Sequence, residues 1–338
     1  MKTKIYKLNF KTPVYIGTNS PTLSHSDYIV HADTMFSAIV NCWLKLYPED
    51  RGILFSDNDS VSVGFDLFKI SSAFPFYKET LFLPKPESIE FKNCEDLKAA
   101  KRAKFIEYSI FLDYLNGADV DNCEVSILEE DSRFIVSESN TASEKPGRFI
   151  YQSEVVRIKK NSITGQTLPY YFTRCHFKKE SGLFLLAIFK NDEIERKFDA
   201  SIRLLGDTGI GGERSIGHGL FWVEKSEIQL PVKGGESSEF INLSTYNPIG
   251  ETENINFGDS YYVIQERKGW IEDYNSRGLR KNPVKMIMEG SVLNMKNNFK
   301  PCGSLILVSK PFPELGLTHN VYRYGCFFGF PINNMQEP

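Results

Sequence analysis

Long apolar runs are missing from this sequence. A membrane-spanning helix needs about 20 consecutive, mostly apolar residues, and no stretch of the 338 residues approaches that length. The N-terminal residues pass directly into strand-like alternation of apolar and polar side chains, which is not the pattern of a signal peptide. We therefore expect a cytoplasmic protein that makes no contact with a membrane.

Closely spaced cysteines are also missing. The six cysteines lie far apart in the chain, at positions 42, 94, 123, 175, 302 and 326. A zinc knuckle needs cysteines only about two to four residues apart, and scattered cysteines are typical of reduced cytosolic thiols. This spacing argues against a cysteine-based metal site, and the sequence indicates no metal and no cofactor.

An excess of positive charge is the third absence. The net charge is −3, whereas free-standing nucleic-acid-binding domains are usually basic. Binding through bulk charge is therefore disfavoured, but binding through local basic segments is still allowed. Tandem repeats, heptads and low-complexity tracts are absent as well. With 41% hydrophobic and 25% charged residues, the chain is typical of a globular protein long enough for two domains.

Glycine, by contrast, is concentrated in one place. Six glycines fall within residues 206–219: Gly206, Gly209, Gly211, Gly212, Gly217 and Gly219. Such density indicates a backbone that adopts positive φ or approaches another group closely. Apolar residues at helical spacing precede this segment, from Ile194 to Leu205, and a strand-like run at 220–223 follows it. The expected order is helix, glycine-rich loop, strand.

This order excludes two familiar phosphate-binding motifs. A P-loop and a dinucleotide-binding loop both need a helix after the glycines, so that the helix N-terminus faces phosphate. In addition, Gly212 or His218 stands where a P-loop has lysine. A loop with many exposed amides and the pair Arg214 and Ser215 is better suited to a polyanion lying across it, because both side chains donate hydrogen bonds to phosphate. A hinge without a ligand is the alternative.

The first half of the chain has the pattern of a ferredoxin-like unit, whose elements follow the order β-α-β-β-α-β. Alternating apolar residues predict a strand at 6–10, and Asp33 is the expected N-cap of a helix over 34–46. Strands at 61–70 and 74–83, a helix over 96–116 and a polar surface loop over 129–147 are expected to follow.

Residues 157–179 carry a local excess of positive charge. Six basic residues and no acidic residue fall there: Arg157, Lys159, Lys160, Arg174, Lys178 and Lys179. A turn signal at 161–165 predicts a protruding hairpin, with Tyr170, Tyr171 and Phe172 within it. Basic residues among aromatic ones suit single-stranded RNA, because the charges follow the phosphates and the rings stack on bases. An ordinary surface hairpin is the alternative that these residues leave open.

Residues 231–238 have the composition of a linker. We therefore expect a first domain at 1–230 and a second at 231–338. Strands are expected in the second domain at 240–244, 261–265, 285–293, 304–308 and 320–330. It also holds a second basic cluster around Trp270 and Tyr274: Arg267, Lys268, Arg277, Arg280, Lys281 and Lys285. Within that cluster, Arg267, Lys268 and Arg280 are the candidate RNA contacts.

Residues 211–221, Gly-Gly-Glu-Arg-Ser-Ile-Gly-His-Gly-Leu-Phe, resemble the glycine-rich signature of the RAMP proteins, the RNA-binding subunits of CRISPR effector complexes. Further segments are similar to one family among them, the fourth subunits of the type III-A effector, or Csm complex. These segments span nearly the whole chain in the expected order: residues 32–39, 82–86, 243–248, 269–270, 289–292 and 321–325.

The resemblance implies an α+β fold of two ferredoxin-like (RRM-like) domains with antiparallel sheets, a glycine-rich loop and a protruding basic hairpin. It implies a ribonucleoprotein subunit in antiviral defence that grips the 5′ handle of CRISPR RNA. Its expected neighbours are the large multidomain subunit and the adjacent backbone subunit. The hairpin, for which residues 157–179 are the candidate, is expected to press on target RNA near the first guide segment. The residues that match the handle-binding loop are Gly211, Gly212, Arg214, Ser215, Gly217 and Gly219, and Gly206, Gly209 and His218 lie in the same loop.

Catalysis is the main alternative function. Related RAMP proteins that process CRISPR RNA use an early histidine as general acid or base, and His25 and His31 lie in that region. Asp33 invites comparison with the backbone subunit, which uses an aspartate in a similar region to cut target RNA. In the processing nucleases, however, the glycine-rich loop lies near the C-terminus, whereas here more than a hundred residues follow it. We therefore expect a non-catalytic RNA-binding subunit. A protein adaptor without RNA would leave the basic segments unexplained.

Overall fold

The computed structural model describes residues 3–18, 25–55, 60–138, 147–161, 163–228, 237–271 and 278–333. Some of the expectations above concern residues outside these ranges. Most of the predicted linker at 231–238 lies outside them, as do residues 139–146 of the predicted polar loop and Tyr274 and Arg277 of the second basic cluster.

The described residues form an α+β structure that is rich in sheet and has few helices. The helices are α1 (Ala32–Leu46), α2 (Arg51–Leu54), α3 (Leu97–Arg102), α4 (Tyr108–Leu115) and α5 (Asp192–Thr208). The strands are β1 (Thr3–Phe10), β2 (Ser62–Val63), β3 (Phe68–Ile70), β4 (Phe74–Tyr77), β5 (Thr80–Pro84), β6 (Phe105–Glu107), β7 (Val125–Leu128), β8 (Asp131–Ser137), β9 (Ile150–Lys160), β10 (Thr167–Phe177), β11 (Ser181–Phe189), β12 (Phe221–Ile228), β13 (Glu239–Asn242), β14 (Ile264–Arg267), β15 (Val284–Ile287), β16 (Val292–Asn294), β17 (Leu305–Ser309), β18 (Val321–Tyr324) and β19 (Gly329–Pro331).

Most strands of the first half join one sheet. Its order is β12-β1-β11-β4-β5-β6-β8-β7, and β3 also pairs with β11. The pairs from β12 to β6 are antiparallel, whereas β6 and β8 are parallel. Helices α1 and α5 pack against each other and share one apolar core with β1 and β11. The helices therefore cover one face of this sheet.

Strand β11 is covered on both faces, because its residues are apolar at every position from 183 to 189. Leu183 and Leu185 belong to the core under α1 and α5, whereas Phe184 and Leu186 belong to a second core. Successive side chains of a strand point to opposite faces. A continuous apolar run therefore serves a strand that is buried between two layers.

The structure confirms the clearest helix and strand predictions. The helix predicted before the glycines is α5, in which Ile194, Phe198, Ile202 and Leu205 are all buried. Its N-cap is Asn191, whose side chain accepts a hydrogen bond from the Ile194 amide at 2.9 Å. Strand β1 and helix α1 also include the segments in which they were predicted.

The helix predicted over 96–116 is wrong, since α3 and α4 are separated there by β6. Phe105 and Ile106 of β6 are buried, and the strand lies between β5 and β8 in the sheet. The helical spacing of apolar residues holds on either side of it. Tertiary pairing overrides local propensity at these three residues, because the sheet supplies partners for their backbone groups.

Three further boundaries differ from prediction. The strand predicted over 74–83 is the hairpin of β4 and β5, which turns at Lys78 with a φ of 53°. The strand predicted over 61–70 is two short strands, β2 and β3, in different sheets. The loop predicted from 129 contains β8, whose Phe134, Ile135 and Val136 are buried. Runs this short carry little periodicity, so their secondary structure depends on the strands with which they pair.

The second half contributes three small sheets, β16-β13-β19, β14-β15 and β18-β17-β2. The last of these takes β2 from the first half. Within residues 237–271 and 278–333 there are strands and short 3-10 turns but no α-helix. These elements do not make the helix-containing ferredoxin-like unit that was expected for this part of the chain.

The two halves share their hydrophobic cores. Leu305 and Tyr324 pack in the core under α1 and α5. Leu243 and Phe330 pack in the second core, against the opposite face of the first sheet. Each half therefore covers apolar surface that the other would otherwise expose to water.

A buried ion cluster also joins the halves. Asp33 was expected to be an N-cap, but the N-cap of α1 is His31, and Asp33 lies in the first turn of the helix. Its Oδ1 accepts from Arg267 Nη2 at 2.9 Å, and its Oδ2 accepts from Arg323 Nη1. Burial alone would raise the pKa of Asp33, but the two guanidinium charges outweigh burial and hold that pKa well below its usual range. The carboxylate is therefore a cross-link between α1, β14 and β18.

His31 forms a second contact across the halves. Its Nδ1 lies 2.9 Å from Glu289 Oε1, and its Nε2 lies 3.4 Å from Asp27 Oδ2. Ser72 donates a hydrogen bond to the same Glu289 oxygen. Burial lowers the pKa of His31, but the two carboxylates outweigh it and raise the pKa to about 9. The ring is therefore held as a cation between two anions.

Replacing Asp33 with alanine is expected to destabilise the protein by about 3–5 kcal/mol, because two buried guanidinium groups lose their shared counter-charge. The matched control is Asp66→Ala, since Asp66 forms an exposed pair with Lys190 at 2.6 Å. Removing an exposed pair costs at most about 1 kcal/mol. Chemical denaturation of both variants measures the difference, and equal losses would contradict a buried cross-link.

The stability that His31 contributes is expected to fall between pH 6.5 and about 9. The pKa of His31 is raised from 6.5 to about 9 on folding, so its contribution is fully present below the lower value and lost as the pH rises through the higher one. Thermal denaturation of the parent and of His31→Gln across this range isolates the effect. The difference in Tm between them should shrink with rising pH. A difference that stays constant would show that His31 is neutral in the fold.

Candidate nucleic-acid interface

The glycine-rich turn begins at Gly209, after the end of α5, and the first of the six glycines, Gly206, is not part of it. Gly206 lies inside α5 and is buried. A Cβ atom at this position would lie 2.5 Å from the carbonyl oxygen of Phe221, so the close packing of α5 on β12 accounts for this glycine. The turn proper spans residues 209–220 and contains a 3-10 turn at Arg214–Ile216.

The turn packs tightly on the segment that follows β1. The amide of Gly212 donates to the Tyr15 carbonyl at 2.9 Å, and the amide of Gly219 donates to the Pro13 carbonyl at 2.8 Å. Gly219 has a φ of 73°, and a Cβ atom there would lie 2.0 Å from the carbonyl oxygen of Ile210. Any other residue would therefore clash with the backbone of the turn.

The expectation of many exposed amides is wrong for most of this turn. Most of its backbone N–H groups donate hydrogen bonds to backbone carbonyls of the protein. The donating residues are Gly209, Ile210, Gly212, Ile216, Gly217, His218 and Gly219. Side chains are what the turn presents to solvent. Ser215 is exposed and Arg214 is half-buried.

Strands β9 and β10 form a long hairpin beside the turn. Their register runs from Lys160 opposite Thr167 to Ile150 opposite Phe177. The Asn161 amide donates to the Gln166 carbonyl at 2.8 Å and closes the hairpin. The hairpin is longer than predicted, because seven residues of β9 precede Arg157.

The two faces of this hairpin differ in chemistry. Directly opposed residues lie on the same face of an antiparallel pair. One face carries exposed apolar side chains, since Val156 opposes Tyr171 and Ile158 opposes Pro169. The other carries the pairs Arg157 with Tyr170, Val155 with Phe172, Ser153 with Arg174 and Tyr151 with His176.

The face that carries Arg157 and Arg174, called the basic face below, meets the glycine-rich turn at the base of the hairpin. Arg157 Nη1 lies 2.5 Å from Glu213 Oε2, and its guanidinium lies 4.9 Å from the centre of the Phe172 ring. The Phe172 ring in turn lies 4.9 Å from Tyr15 and 5.9 Å from His218. The structure thus brings two of the predicted contact groups, the turn and the hairpin, into one surface.

Two histidines in this surface are shifted toward the neutral form. His218 is buried, and its Nδ1 has no hydrogen-bond partner among the described residues. Burial and then the charges of Arg157 and Arg174 lower the pKa of His218. Burial also lowers the pKa of His176, with a further contribution from Arg174. At neutral pH the positive charge of this surface therefore comes from arginine.

Sequence reasoning missed three members of this surface. The Tyr151 ring stacks on the His176 ring at 5.1 Å with 3° between the planes. Ser153 Oγ lies 2.7 Å from His176 Nε2 and accepts from Arg174 Nε at 3.2 Å. The strand period could have indicated them, because they occupy the alternate positions on the face that carries Arg157 and Arg174.

The remaining candidate contacts are dispersed. Arg267 is buried in the ion pair with Asp33, whereas Lys268 is exposed and pairs with Glu266 at 2.6 Å. Arg280 is exposed and lies 4.4 Å above the ring of Trp270. Lys160 is exposed near the tip of the hairpin, and the Lys159 side chain lies outside the described part of the chain.

Two of the three candidate catalytic groups, His31 and Asp33, are engaged in contacts within the protein. Both ring nitrogens of His31 face carboxylates, and both oxygens of Asp33 face guanidinium groups. His25 is exposed. Across the described ranges, no three His, Cys, Asp or Glu side chains are placed to hold a metal ion, and no described helix has the length and apolarity to cross a membrane.

Known proteins are similar to this chain along most of its length. It is 29% identical over 311 residues to the CRISPR system Cms protein Csm4 of Thermococcus onnurineus (strain NA1), with 89% of this chain and 90% of that protein covered. It is 26% identical over 343 residues to the protein of the same description from Methanocaldococcus jannaschii, with 88% and 87% covered.

Solved structures share the fold. A chain of the Csm3-Csm4 subcomplex in the type III-A CRISPR-Cas interference complex gives a TM-score of 0.64 at 21% identity, with 98% of this chain and 100% of that chain covered. A chain of the Csm1-Csm4 cassette in complex with pppApA gives a TM-score of 0.56 at 22% identity, with 100% of both chains covered.

Two family models match separate parts of the chain. The model of the CRISPR Csm4 C-terminal domain matches residues 235–332. The model of the RAMP superfamily matches residues 7–222, the greater part of the chain, which includes the glycine-rich turn and the hairpin. The protein therefore belongs to the RAMP superfamily, and its last third is a CRISPR Csm4 C-terminal domain.

Proposed function

We propose that this protein is a non-catalytic RNA-binding subunit of a type III-A CRISPR-Cas effector, and that it grips the 5′ handle of CRISPR RNA. The observation that carries the proposal is the joint surface of the glycine-rich turn and the hairpin base. Arg157 and Phe172 of the hairpin contact Glu213 and His218 of the turn. Tyr151, which is 40% exposed, lies on the same face of the hairpin as Arg157 and Arg174. An exposed ring beside arginines suits a single RNA strand, because charge follows phosphate and rings stack on bases.

The turn holds the RNA through side chains. Its amides are largely used within the protein, so Arg214 and Ser215 contact the phosphates, and the glycines keep the turn compact against Tyr15. Arg174 adds positive charge on the adjacent face of the hairpin, whereas the charge of Arg157 is balanced by Glu213. Local charge of this kind explains RNA binding by a chain whose net charge is −3.

The apolar face of the hairpin, opposite the basic face, contacts target RNA near the first guide segment. Val156, Ile158 and Tyr171 are more than half exposed there. Exposed apolar side chains on a long hairpin suit insertion between base pairs, where they replace stacking. This face therefore acts as a wedge, and the basic face holds the strand.

The order β12-β1-β11-β4, with α1 and α5 on one face, supports a ferredoxin-like unit in the first half. The ranges of the two family models support a boundary near residue 231. The partners we propose are the large multidomain subunit and the adjacent backbone subunit, since similar solved structures are of Csm1-Csm4 and Csm3-Csm4 assemblies. The cytoplasm is the proposed site of action.

Replacing Arg214 with alanine is expected to weaken binding to RNA that carries the 5′ handle, and to reduce the slope of log K against log salt by about one unit, because one phosphate contact is lost. The matched control is Arg196→Ala, since Arg196 is an exposed arginine on α5. Titration of labelled RNA at several salt concentrations measures both slopes. A slope that Arg214→Ala leaves unchanged would remove Arg214 from the interface.

No cleavage of labelled repeat RNA is expected when the purified chain is incubated with it in the absence of metal, because His31 and Asp33 are engaged within the fold. Gel analysis of the products checks this, with RNA binding measured on the same sample. A specific cut that His25→Ala or His31→Gln abolished would establish instead a metal-independent endoribonuclease of the RAMP type.

A further inference from the structure

Arg323 holds two donors for which the described residues supply no acceptor. Its side chain is 4% exposed, and its Nη1 donates to Asp33. Its Nε and Nη2 atoms are buried and have no hydrogen-bond partner among the described residues. Leaving buried donors unpaired is costly, and native structures rarely do so without a functional reason.

These two nitrogens form one side of the guanidinium. Nε–H and Nη2–H point in parallel and match two oxygens of one phosphate or carboxylate group. Nη1 is already used by Asp33, so Arg323 is oriented by one anion and offers its other side to a second. The geometry of the unpaired atoms therefore specifies an anion with two acceptor oxygens.

Positive charge exceeds negative charge around Arg323. Arg267 and Arg323 share the single carboxylate of Asp33. Lys281 is half-buried beside them, and its ammonium forms no ion pair within the described ranges of the chain. Burial, then repulsion by Arg323, lowers the pKa of Lys281 to about 8, although Asp33 opposes this shift. A second anion would relieve this repulsion.

A flat, exposed surface adjoins the cluster. Trp270 is 58% exposed, and the Arg280 guanidinium lies 4.4 Å above its ring. Trp270 and Arg280 are bridged across neighbouring backbone segments, and the Lys281 amide donates to the Gly269 carbonyl at 2.9 Å. A Cβ atom on Gly269 would have Arg323 Nη2 as its nearest neighbour, at 3.9 Å. The stacking surface and the cationic cluster are therefore adjacent.

We infer that the Nε–Nη2 side of Arg323, together with Lys281, binds a phosphate group of RNA, and that a base next to this phosphate stacks on Trp270. The inference rests on the proposed function, because its ligand is RNA. Phosphate is favoured over a carboxylate from a protein partner because an exposed aromatic ring and a stacked arginine adjoin the site, as is typical of nucleotide recognition. The Lys281 side chain is long and flexible, so it can move outward to admit the phosphate.

The test compares Lys281→Met and Trp270→Ala with Lys300→Ala, an exposed lysine of the same half. The full chain is titrated with labelled repeat RNA containing the 5′ handle, at several salt concentrations. Lys281→Met should bind about tenfold more weakly, with a salt slope smaller by about one unit, as for Arg214→Ala. Trp270→Ala should also bind about tenfold more weakly, with an unchanged slope, and Lys300→Ala should match the parent. Thermal denaturation verifies that the variants are folded.

A pH titration gives a second readout. RNA affinity of the parent should fall as the pH rises from about 7 to 9, because Lys281 has a pKa of about 8 and loses its charge. Arg323, Arg267 and Asp33 face Lys281 and keep their charges in this range, and His31 is common to all variants. Lys281→Arg should retain affinity at pH 9. The same loss of affinity in Lys281→Arg would overturn the role of Lys281.

The outcomes separate this site from the proposed function. If the parent binds RNA and both Lys281→Met and Trp270→Ala bind with unchanged affinity and slope, the phosphate site is overturned and the proposed function stands. If the parent does not bind RNA, both are overturned. If Lys281→Met binds RNA normally but loses affinity for the purified large or backbone subunit, the ligand of Arg323 is a protein carboxylate, and the RNA site is likewise overturned.

Discussion

Two arginines from the second half of the chain converge on one aspartate at the start of α1, and the arrangement of the two halves depends on this contact. A buried carboxylate is tolerated only when paired and hydrogen bonded. Arg267 and Arg323 supply that pairing from strands β14 and β18, and the Thr245 hydroxyl accepts a hydrogen bond from the Asp33 amide. Any shift of the second half relative to α1 would expose an unpaired charge to a low-dielectric interior. The contact therefore specifies one relative placement.

This contact also limits the chemistry that the first half can perform. A general base must reach its substrate with an unoccupied lone pair, and both oxygens of Asp33 are used within the fold. The same holds for the ring nitrogens of His31. Two positions that suggested nucleolytic chemistry are engaged in contacts that join the two halves. The RNA contacts proposed above lie at the surface, on the turn and on the hairpin.

The glycine-rich turn illustrates how a local pattern can be correct while its explanation is incomplete. Its density of glycine indicated close approach to some group, and the group is largely the protein itself. Gly211 and Gly212 pack on Tyr15, and Gly219 packs on Ile210. The turn is packed against the segment that follows β1 and against the base of the hairpin. A packed turn would present Arg214 to the proposed RNA ligand with little loss of conformational freedom.

Much of the fold that local pattern controls was predictable. The helix before the turn, the first strand and helix α1 follow from spacing, because one apolar face repeats over several turns or pairs. Short elements were not predictable. Strand β6, for example, has three residues, and it is a strand because β5 and β8 pair with it on either side. Part of the candidate site was also predictable, because Arg157, Arg174 and the turn are evident from charge and glycine content.

By itself the sequence determined the existence of the glycine-rich turn, the basic hairpin and the helix between β11 and the turn, because each depends on residues close together in the chain. Tertiary structure alone decided which charges are buried. Arg267 and Arg280 lie in one basic cluster of the sequence, yet Arg267 is enclosed by Asp33 and Arg280 stays at the surface. The physical reason is that the partner of Arg267 lies 234 residues away, and spacing along a chain carries no information about such a contact.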